Sequence, residues 1–134
     1  THNQHVDLMR LIGSELGLLF QIQDDYLDLY GNTSDTGKVL GGDIIECKKS
    51  FLYITAIDLS CDKEEFISLY HGKKENKLKQ ICDIYTRLGV QEKTQIKIKE
   101  ITHIILNFIS DLNVDDNRKK ILLDFLSIIF NRKQ

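Results

Sequence analysis

Proline is absent from this 134-residue sequence, although an average soluble chain of that length would hold about six or seven. Glycine is also scarce, and four of the eight glycines lie between residues 31 and 42. Because few helix breakers interrupt the rest of the chain, the composition predicts a bundle of helices. No strand alternation, internal repeat or low-complexity segment stands out. The predicted fold class is therefore all-α.

Charge, cysteine spacing and the length of the apolar runs exclude several functional classes. The formal net charge of −2 argues against a basic stripe, so we expect no nucleic-acid partner. No apolar run approaches the roughly 20 residues that a membrane span needs, and no signal-peptide pattern opens the sequence. The three cysteines have no C-x-x-C spacing, which predicts free thiols in a reducing compartment and hence a cytoplasmic protein.

Apolar periodicity predicts a series of helices. The first covers about residues 3–30 and is apolar on nearly every side, which is typical of a helix buried in the centre of a larger assembly. Gly13 and Gly17 lie one turn apart on one of its faces, where a second helix could approach closely. A polar, glycine-rich loop follows at 31–42. Further helices are predicted at about 43–59, 62–70, 76–88, 91–112 and 115–131.

Three aspartates lie near the C-terminal end of the first predicted helix. Asp24 and Asp28 are four residues apart and share a face, while Asp25 lies about 100° round the axis. An exposed carboxylate at this negative end of the helix dipole costs about 0.3–1 kcal/mol, and like charges at i, i+4 add about 0.2–0.5 kcal/mol. A cation would reverse these signs, and Mg²⁺ prefers one or two carboxylates with phosphate oxygens and water. The residues alone leave two interpretations open, a solvated acidic patch and a magnesium site.

Basic residues follow at spacings that a diphosphate site could use. Lys38 lies in the glycine-rich loop, and Lys48 and Lys49 are predicted about one turn inside the next helix. If the loop folds back, carboxylate, metal, phosphate and ammonium alternate in charge, an arrangement that holds a diphosphate and stabilises its departure. Alternatively, all three are surface lysines, and Asp43 is an ordinary helix N-cap in capping-box spacing with Glu46.

One segment closely resembles the second aspartate-rich motif of the trans-isoprenyl diphosphate synthases, the farnesyl, geranylgeranyl and longer-chain polyprenyl enzymes: F-Q-I-Q-D-D-Y-L-D-L-Y-G at 20–31. T-G-K at 36–38, G-G-D at 41–43 and the lysine pair at 48–49 follow at the family's spacing. The resemblance implies the C-terminal part of the isoprenoid synthase fold, with residues 1–134 forming the C-terminal portion of a single synthase domain. The first aspartate-rich motif and the upstream isopentenyl diphosphate site have no counterpart here, so we expect a fragment that is inactive by itself.

The resemblance also implies a reaction and a role for each site residue. In the family an allylic diphosphate ionises to a carbocation, isopentenyl diphosphate attacks it and a proton is lost, while Mg²⁺ stabilises the leaving diphosphate. This chain would supply the second aspartate-rich site of such a prenyltransferase of isoprenoid biosynthesis. The implied catalytic residues are Asp24 and Lys38, the implied metal ligands are Asp24, Asp25, Asp28 and Asp43, and the implied substrate-binding residues are Phe20, Gln21, Lys38 and Lys48.

Within the metal set the implied roles differ. Asp24 would be the direct ligand, Asp28 and Asp43 would act through metal-bound water, and Asp25 would support the site. The basic end of the chain, N-R-K-Q at 131–134, is weakly similar to the tail that helps to close the family's active site. The resemblance further implies a homodimer.

Two other functions remain open. One is a non-catalytic regulatory relative of a polyprenyl synthase, against which the intact aspartates argue. The other is a helical interaction module whose acidic patch binds a basic partner, but such a module would not need Gln21, Lys38 and Lys48 at their positions. Magnesium-dependent binding of pyrophosphate distinguishes a diphosphate site from a docking patch.

Overall fold

The computed structural model describes residues 2–32 and 39–132. No strand occurs in these residues, which confirms the all-α prediction. No helix in them is long and apolar enough to cross a membrane. The described part contains seven helices: α1 (His2–Tyr30), α2 (Gly42–Ile45), α3 (Phe51–Leu59), α4 (Lys63–Tyr70), α5 (Lys77–Leu88), α6 (Val90–Ser110) and α7 (Asp116–Phe130).

The helices divide into two compact units. The terminal unit consists of residues 2–23 and 97–132, and the central unit consists of the described residues between 24 and 96. In the terminal unit, the side-chain amide of Gln23 donates to the carbonyl oxygen of Ile129 at 3.0 Å and so links α1 to α7. The buried aliphatic side chains of this unit are Ile12, Leu19, Ile22, Ile101, Ile105, Ile109, Leu112 and Leu126.

The core of the central unit is built around four aromatic rings from three helices. Their neighbouring centroids lie between 4.4 Å apart, for Tyr53 and Tyr70, and 6.3 Å apart, for Phe66 and Tyr85. Tilted aromatic pairs of this kind add about 0.5–1.5 kcal/mol each beyond the apolar area that they bury. The aliphatic residues that complete this core are Ile44, Leu52, Ala56, Ile81 and Val90.

Most of the predicted helices are confirmed, and their end signals function as expected. Asp62 and Asp115 are the N-caps of α4 and α7, and their carboxylates accept the backbone N–H groups of Glu65 and Arg118 at 3.0 and 2.8 Å. Gly89 ends α5 with a φ of 75°, a left-handed conformation that glycine adopts without a steric cost.

The single helix predicted over 43–59 is wrong, because the segment forms α2 and α3 with a break at 46–50. Cys47 lies in this break with a φ of 58°, a left-handed conformation that no α-helix interior contains. Ser50 then begins α3 as its N-cap, and its hydroxyl accepts the backbone N–H of Tyr53 at 3.3 Å. The turn at Cys47 and the N-cap at Ser50 therefore interrupt the helix, although the apolar pattern continues across residues 43–59.

The break also corrects two smaller predictions. Asp43 is not a helix N-cap, since Gly41 holds that position with a φ of 87° and without a side-chain hydrogen bond. The expected capping box between Asp43 and Glu46 accordingly does not form, because Asp43 already lies inside the first turn of α2. Lys48 and Lys49 lie in the connection between the two helices rather than one turn inside a helix.

One side of α1, which we call the α1 face, presents apolar side chains to solvent. Val6, Met9 and Phe20 are 42%, 50% and 47% exposed. Gly13 and Gly17 lie between them at helical spacing, and apart from neighbouring residues and the backbone of α1 itself, no described atom comes within 4 Å of the position that a Cβ would take at either glycine. α1 therefore exposes apolar side chains, although its sequence is typical of a buried helix.

We expect the 134-residue chain to self-associate through the α1 face. Stable monomers seldom expose an apolar patch larger than a few hundred Å², and burying such a patch contributes about 25 cal/mol per Å². Sedimentation equilibrium at micromolar concentration should give a mass above that of the monomer, and Met9→Lys should lower it. Ile54→Lys on α3 is the control, because Ile54 is also 50% exposed and lies outside the α1 face. A monomer mass with low binding of an apolar dye would contradict this expectation.

Candidate functional site

The acidic end of α1 contacts the start of α3 in the central unit. Asp25 is only 4% exposed, and both of its oxygens are occupied. Oδ1 accepts a hydrogen bond from the Lys48 ammonium at 2.9 Å, and Oδ2 accepts the backbone N–H of Phe51 at 2.8 Å. Because Phe51 is the first residue of α3, Asp25 places a negative charge at the positive end of that helix dipole.

Asp28 makes a similar contact with α2. It is 7% exposed, and its Oδ2 accepts the backbone N–H of Asp43 at 2.9 Å. Its carbonyl oxygen accepts the N–H of Gly41 at 2.8 Å. Glycine is strongly favoured at residue 41, because a φ of 87° strains other residues and a Cβ would lie 2.5 Å from Cδ1 of Leu78, which would have to shift. These bonds hold residues 41–43 against the end of α1.

These contacts explain how the central unit tolerates carboxylates at a helix C-terminus. A buried carboxylate is costly unless it is paired and hydrogen-bonded. Asp25 and Asp28 meet that condition through backbone N–H groups at two helix N-termini and through Lys48. The electrostatic penalty expected from the sequence is therefore offset within the chain itself.

Lys48 lies between two carboxylates. Its Nζ is 2.9 Å from Asp25 and 3.7 Å from Oδ2 of Asp43. The hydrogen bond to Asp25 is the largest cause that raises the pKa of Lys48, and it outweighs the opposing effect of desolvation. The side chain is 45% exposed. Lys48 is thus a fixed positive charge that a ligand can still reach.

Tyr70 is a site residue that the sequence did not identify. Its side chain is fully buried, and its hydroxyl lies within hydrogen-bond distance of the carbonyl oxygens of Asp43, at 3.3 Å, and Lys48, at 2.5 Å. Burial is the main cause that raises the pKa of Tyr70, so the hydroxyl keeps its proton and can donate. Tyr70 thereby fixes the backbone that carries both charged residues. The apolar pattern of α4 could assign Tyr70 only to the core.

The structure brings together some of the predicted site residues and not others. Asp25, Asp28, Asp43 and Lys48 lie together in the central unit. Asp24 is exposed at the end of α1 in the same unit. Phe20 and Gln21 are exposed in the part of α1 that belongs to the terminal unit. Lys38 and the rest of the T-G-K segment lie outside the described residues.

Arg132, from the basic end of the chain, contacts Phe20 in the terminal unit. Its guanidinium carbon lies 4.2 Å from the centroid of the Phe20 ring, a cation–π contact. One residue of the tail therefore rests on a residue that the resemblance assigns to the substrate cavity. Residues 133 and 134 lie outside the described part.

The predicted metal ligands do not form a closed cage. Within residues 2–32 and 39–132, no three His, Cys, Asp or Glu side chains lie close enough together to enclose an ion. Mg²⁺ does not require such a cage, since it usually takes one or two carboxylates and completes its octahedron with phosphate oxygens and water. A site of that open kind needs only one or two of the predicted carboxylates.

Comparison with known proteins identifies the family. A sequence model described as polyprenyl synthetase matches residues 1–88, which include α1 to α5 and the candidate site. Farnesyl pyrophosphate synthase 2 of Cannabis sativa is 28% identical over 134 residues, 98% of this chain and 38% of that protein. The farnesyl pyrophosphate synthase of Nezara viridula is 32% identical over 122 residues, 90% of this chain and 30% of that protein. The chain thus spans well under half the length of these relatives.

Solved structures give the same result for the fold. A crystal structure of a geranylgeranyl pyrophosphate synthase matches with a TM-score of 0.81 at 31% identity, covering 96% of this chain and 42% of that one. A polyprenyl synthetase from Streptomyces coelicolor A3(2) matches with a TM-score of 0.73 at 22% identity, which supports the fold alone. The chain belongs to the polyprenyl synthetase family.

Proposed function

We propose that this chain is part of a prenyltransferase that condenses an allylic diphosphate with isopentenyl diphosphate, and that it supplies one Mg²⁺–diphosphate site. The observation that carries the proposal is the position of Lys48. Its ammonium is held 2.9 Å from Asp25 and 3.7 Å from Asp43, yet it is half exposed. A cation fixed among carboxylates suits a ligand that brings both metal ions and phosphate groups.

The proposed role of each site residue depends on whether its side chain is exposed or buried. Asp24, which is exposed, would hold Mg²⁺ directly, and Asp28 and Asp43 would contact water bound to it. Asp25 acts as a positioning residue, because it already holds Lys48 and the first turn of α3. When bound, Mg²⁺ neutralises the diphosphate and stabilises its departure. Lys48 and Lys38 would contact the allylic diphosphate, and the family resemblance implies a substrate-binding role for Gln21 and for Phe20.

Burial also argues against the acidic docking module. A docking patch binds a basic partner through exposed carboxylates, whereas Asp25 and Asp28 are 4% and 7% exposed. One oxygen of each already accepts a backbone N–H at the N-terminus of α3 or α2. The arrangement therefore favours a site built to hold Lys48 and the 41–50 segment in a fixed geometry.

We also propose a homodimer, as the family resemblance implies, and a cytoplasmic location, as the cysteine spacing predicts. The three cysteines, Cys47, Cys61 and Cys82, are all free thiols. Free thiols agree with a reducing compartment.

Pyrophosphate is expected to bind the chain in the presence of Mg²⁺ and not in the presence of EDTA. Isothermal titration calorimetry measures both conditions. Lys48→Met should weaken binding about tenfold or more, since hydrogen bonds to charged groups contribute about 1.5–3 kcal/mol. Lys79→Met is the matched control, because Lys79 is an exposed lysine of the same unit on α5. Binding that survives EDTA, or an equal loss in both variants, would refute the site.

The 134-residue chain by itself should show no prenyl transfer. It contains one D-D-x-x-D segment, at 24–28, and the proposed reaction needs a second metal site and an isopentenyl diphosphate site. Incorporation of radiolabelled isopentenyl diphosphate into longer products is the measurement. Chain elongation by the purified 134-residue chain would show that these parts are present after all.

A further inference from the structure

Tyr70 and Lys77 are buried polar residues of the central unit to which the proposed diphosphate site gives no direct contact. Tyr70 is the last residue of α4, and Lys77 is the first residue of α5. Their exposed fractions are 0% and 7%. A diphosphate in solution does not reach side chains so deeply buried, so any effect of these two residues on its binding passes through the residues that they contact.

The ammonium of Lys77 is bound at the end of α4. Its Nζ donates to the carbonyl oxygen of Tyr70 at 2.9 Å and to Sγ of Cys47 at 3.2 Å. The last four carbonyl groups of a helix lack donors within the helix and carry its partial negative charge, so a lysine is favourable there. Lys77 therefore holds the C-terminus of α4 at the start of α5, and with it the position of Tyr70.

The hydroxyl of Tyr70 is bound to the backbone of Lys48. It lies 2.5 Å from the carbonyl oxygen of Lys48 and 3.3 Å from that of Asp43. Because a hydroxyl has one proton to donate, the nearer carbonyl is its main acceptor. Lys48 lies in the break between α2 and α3, where no helical ladder holds the backbone. Two hydrogen bonds, from Lys77 to Tyr70 and from Tyr70 to Lys48, thus connect α5 to the candidate site.

We propose that Tyr70 and Lys77 are positioning residues for diphosphate binding, which act by holding the backbone of Lys48. The inference rests on the proposed function, because it assigns the two residues a part in the affinity of the same site. The stem of Lys48 is flexible, so the position of its ammonium between Asp25 and Asp43 depends on the backbone that carries it. A charge that is already in place binds a diphosphate without a cost of reorganisation.

Tyr53 allows a positioning role to be separated from a contribution to the core. It is 4% exposed, and the centroid of its ring lies 4.4 Å from that of Tyr70. Its hydroxyl, however, shares a hydrogen bond with Nε2 of His71, at 3.2 Å. Tyr53→Phe and Tyr70→Phe therefore each remove a hydrogen-bonded hydroxyl from the same core, but Tyr70→Phe alone removes the bond to Lys48.

The test measures the binding of pyrophosphate to the 134-residue chain with Mg²⁺ by isothermal titration calorimetry. Tyr70→Phe should weaken the affinity about fivefold, as expected for the loss of one hydrogen bond, and Tyr53→Phe should leave it unchanged. Replacing Tyr70 with 4-aminophenylalanine, whose amino group donates to the same carbonyl, should restore most of the affinity. Lys77→Met should also weaken binding, with Lys79→Met on the exposed side of α5 as its control.

Amide hydrogen exchange, followed by NMR without pyrophosphate, reports on the backbone of Lys48 independently of the proposed function. The N–H of Lys48 donates to the carbonyl oxygen of Asp43 at 2.8 Å. Tyr70→Phe should speed the exchange of this N–H about fivefold or more relative to Tyr53→Phe, because the segment opens more often once its carbonyl has lost the hydroxyl.

Equal affinities for pyrophosphate in Tyr70→Phe and Tyr53→Phe would overturn the proposal, and so would a loss of affinity that 4-aminophenylalanine does not reverse. If the unmodified chain binds no pyrophosphate, the proposed function fails, and the exchange measurement decides the rest. Faster exchange at Lys48 in Tyr70→Phe then supports the hold on its backbone, and unchanged exchange overturns it. If Lys77→Met does not fold, Tyr70→Phe and its controls decide the question by themselves.

Discussion

Replacing Asp24 with alanine is expected to lower prenyl transfer by several orders of magnitude in a synthase that contains this chain. The substitution removes a proposed metal ligand that acts on the leaving diphosphate, where a bound metal provides much of the stabilisation of the transition state. Asp24 is exposed at the end of α1, so the fold should stay intact. Steady-state kinetics with the allylic substrate at saturation measure the effect on turnover.

Asp83→Ala is the matched control for Asp24→Ala. Asp83 is also an exposed aspartate of the central unit, on α5. Its loss changes the net charge by the same amount without touching the candidate site. Turnover near that of the unmodified enzyme in Asp24→Ala, or an equal loss in both variants, would show that Asp24 has been assigned the wrong role.

Replacing the neighbouring Asp25 with alanine should instead destabilise the protein, by about 2–3 kcal/mol. The change leaves the part-buried N–H of Phe51 without its acceptor, and an unsatisfied donor away from water costs about 1–3 kcal/mol. Loss of the Lys48 bond adds less, because that side chain is 45% exposed and water can replace the carboxylate. Urea unfolding of the 134-residue chain, followed by circular dichroism, gives the free energy of unfolding.

The comparison with Asp24 makes this second prediction specific. Asp24→Ala should change the free energy of unfolding by no more than about 0.5 kcal/mol, as is usual for exposed residues. Asp25→Asn should lie between the two, since it keeps an oxygen that can accept the N–H of Phe51. Equal destabilisation by Asp24→Ala and Asp25→Ala would mean that the burial of Asp25 contributes nothing to the fold.

The helices that could be predicted from the sequence are those whose signals are local. Apolar periodicity with a glycine or an aspartate near a helix end suffices for α4 to α7, and Asp62 and Asp115 are the N-caps of α4 and α7. The break between α2 and α3 was missed because part of its cause is distant. Asp25 binds the N–H of Phe51 from 26 residues away in the sequence, and no local pattern contains that contact.

The site was predicted only as far as its motif reaches. The resemblance of the motif implied a direct metal contact for Asp24 and a supporting role for Asp25, but it did not predict which of the two side chains is buried. Asp24 and Asp25 point in directions about 100° apart on α1. Asp25 is buried because of the helices that pack against its side of α1, and the motif does not contain that information. Tyr70 contacts Asp43 and Lys48, which lie 27 and 22 residues away in the sequence. The residue pattern of α4 contains no information about these distant contacts.

The central claim, that the end of α1 binds a metal ion together with a diphosphate, is tested most directly by paramagnetic NMR. Mn²⁺ takes the place of Mg²⁺, and the amide signals of residues nearest to the ion broaden first. With pyrophosphate present, we predict that the signals of Asp24, Asp43 and Lys48 broaden before those of the acidic first turn of α4, which contains Glu64 and Glu65. Strongest broadening at Glu64 and Glu65, or the same broadening without pyrophosphate, would contradict the account.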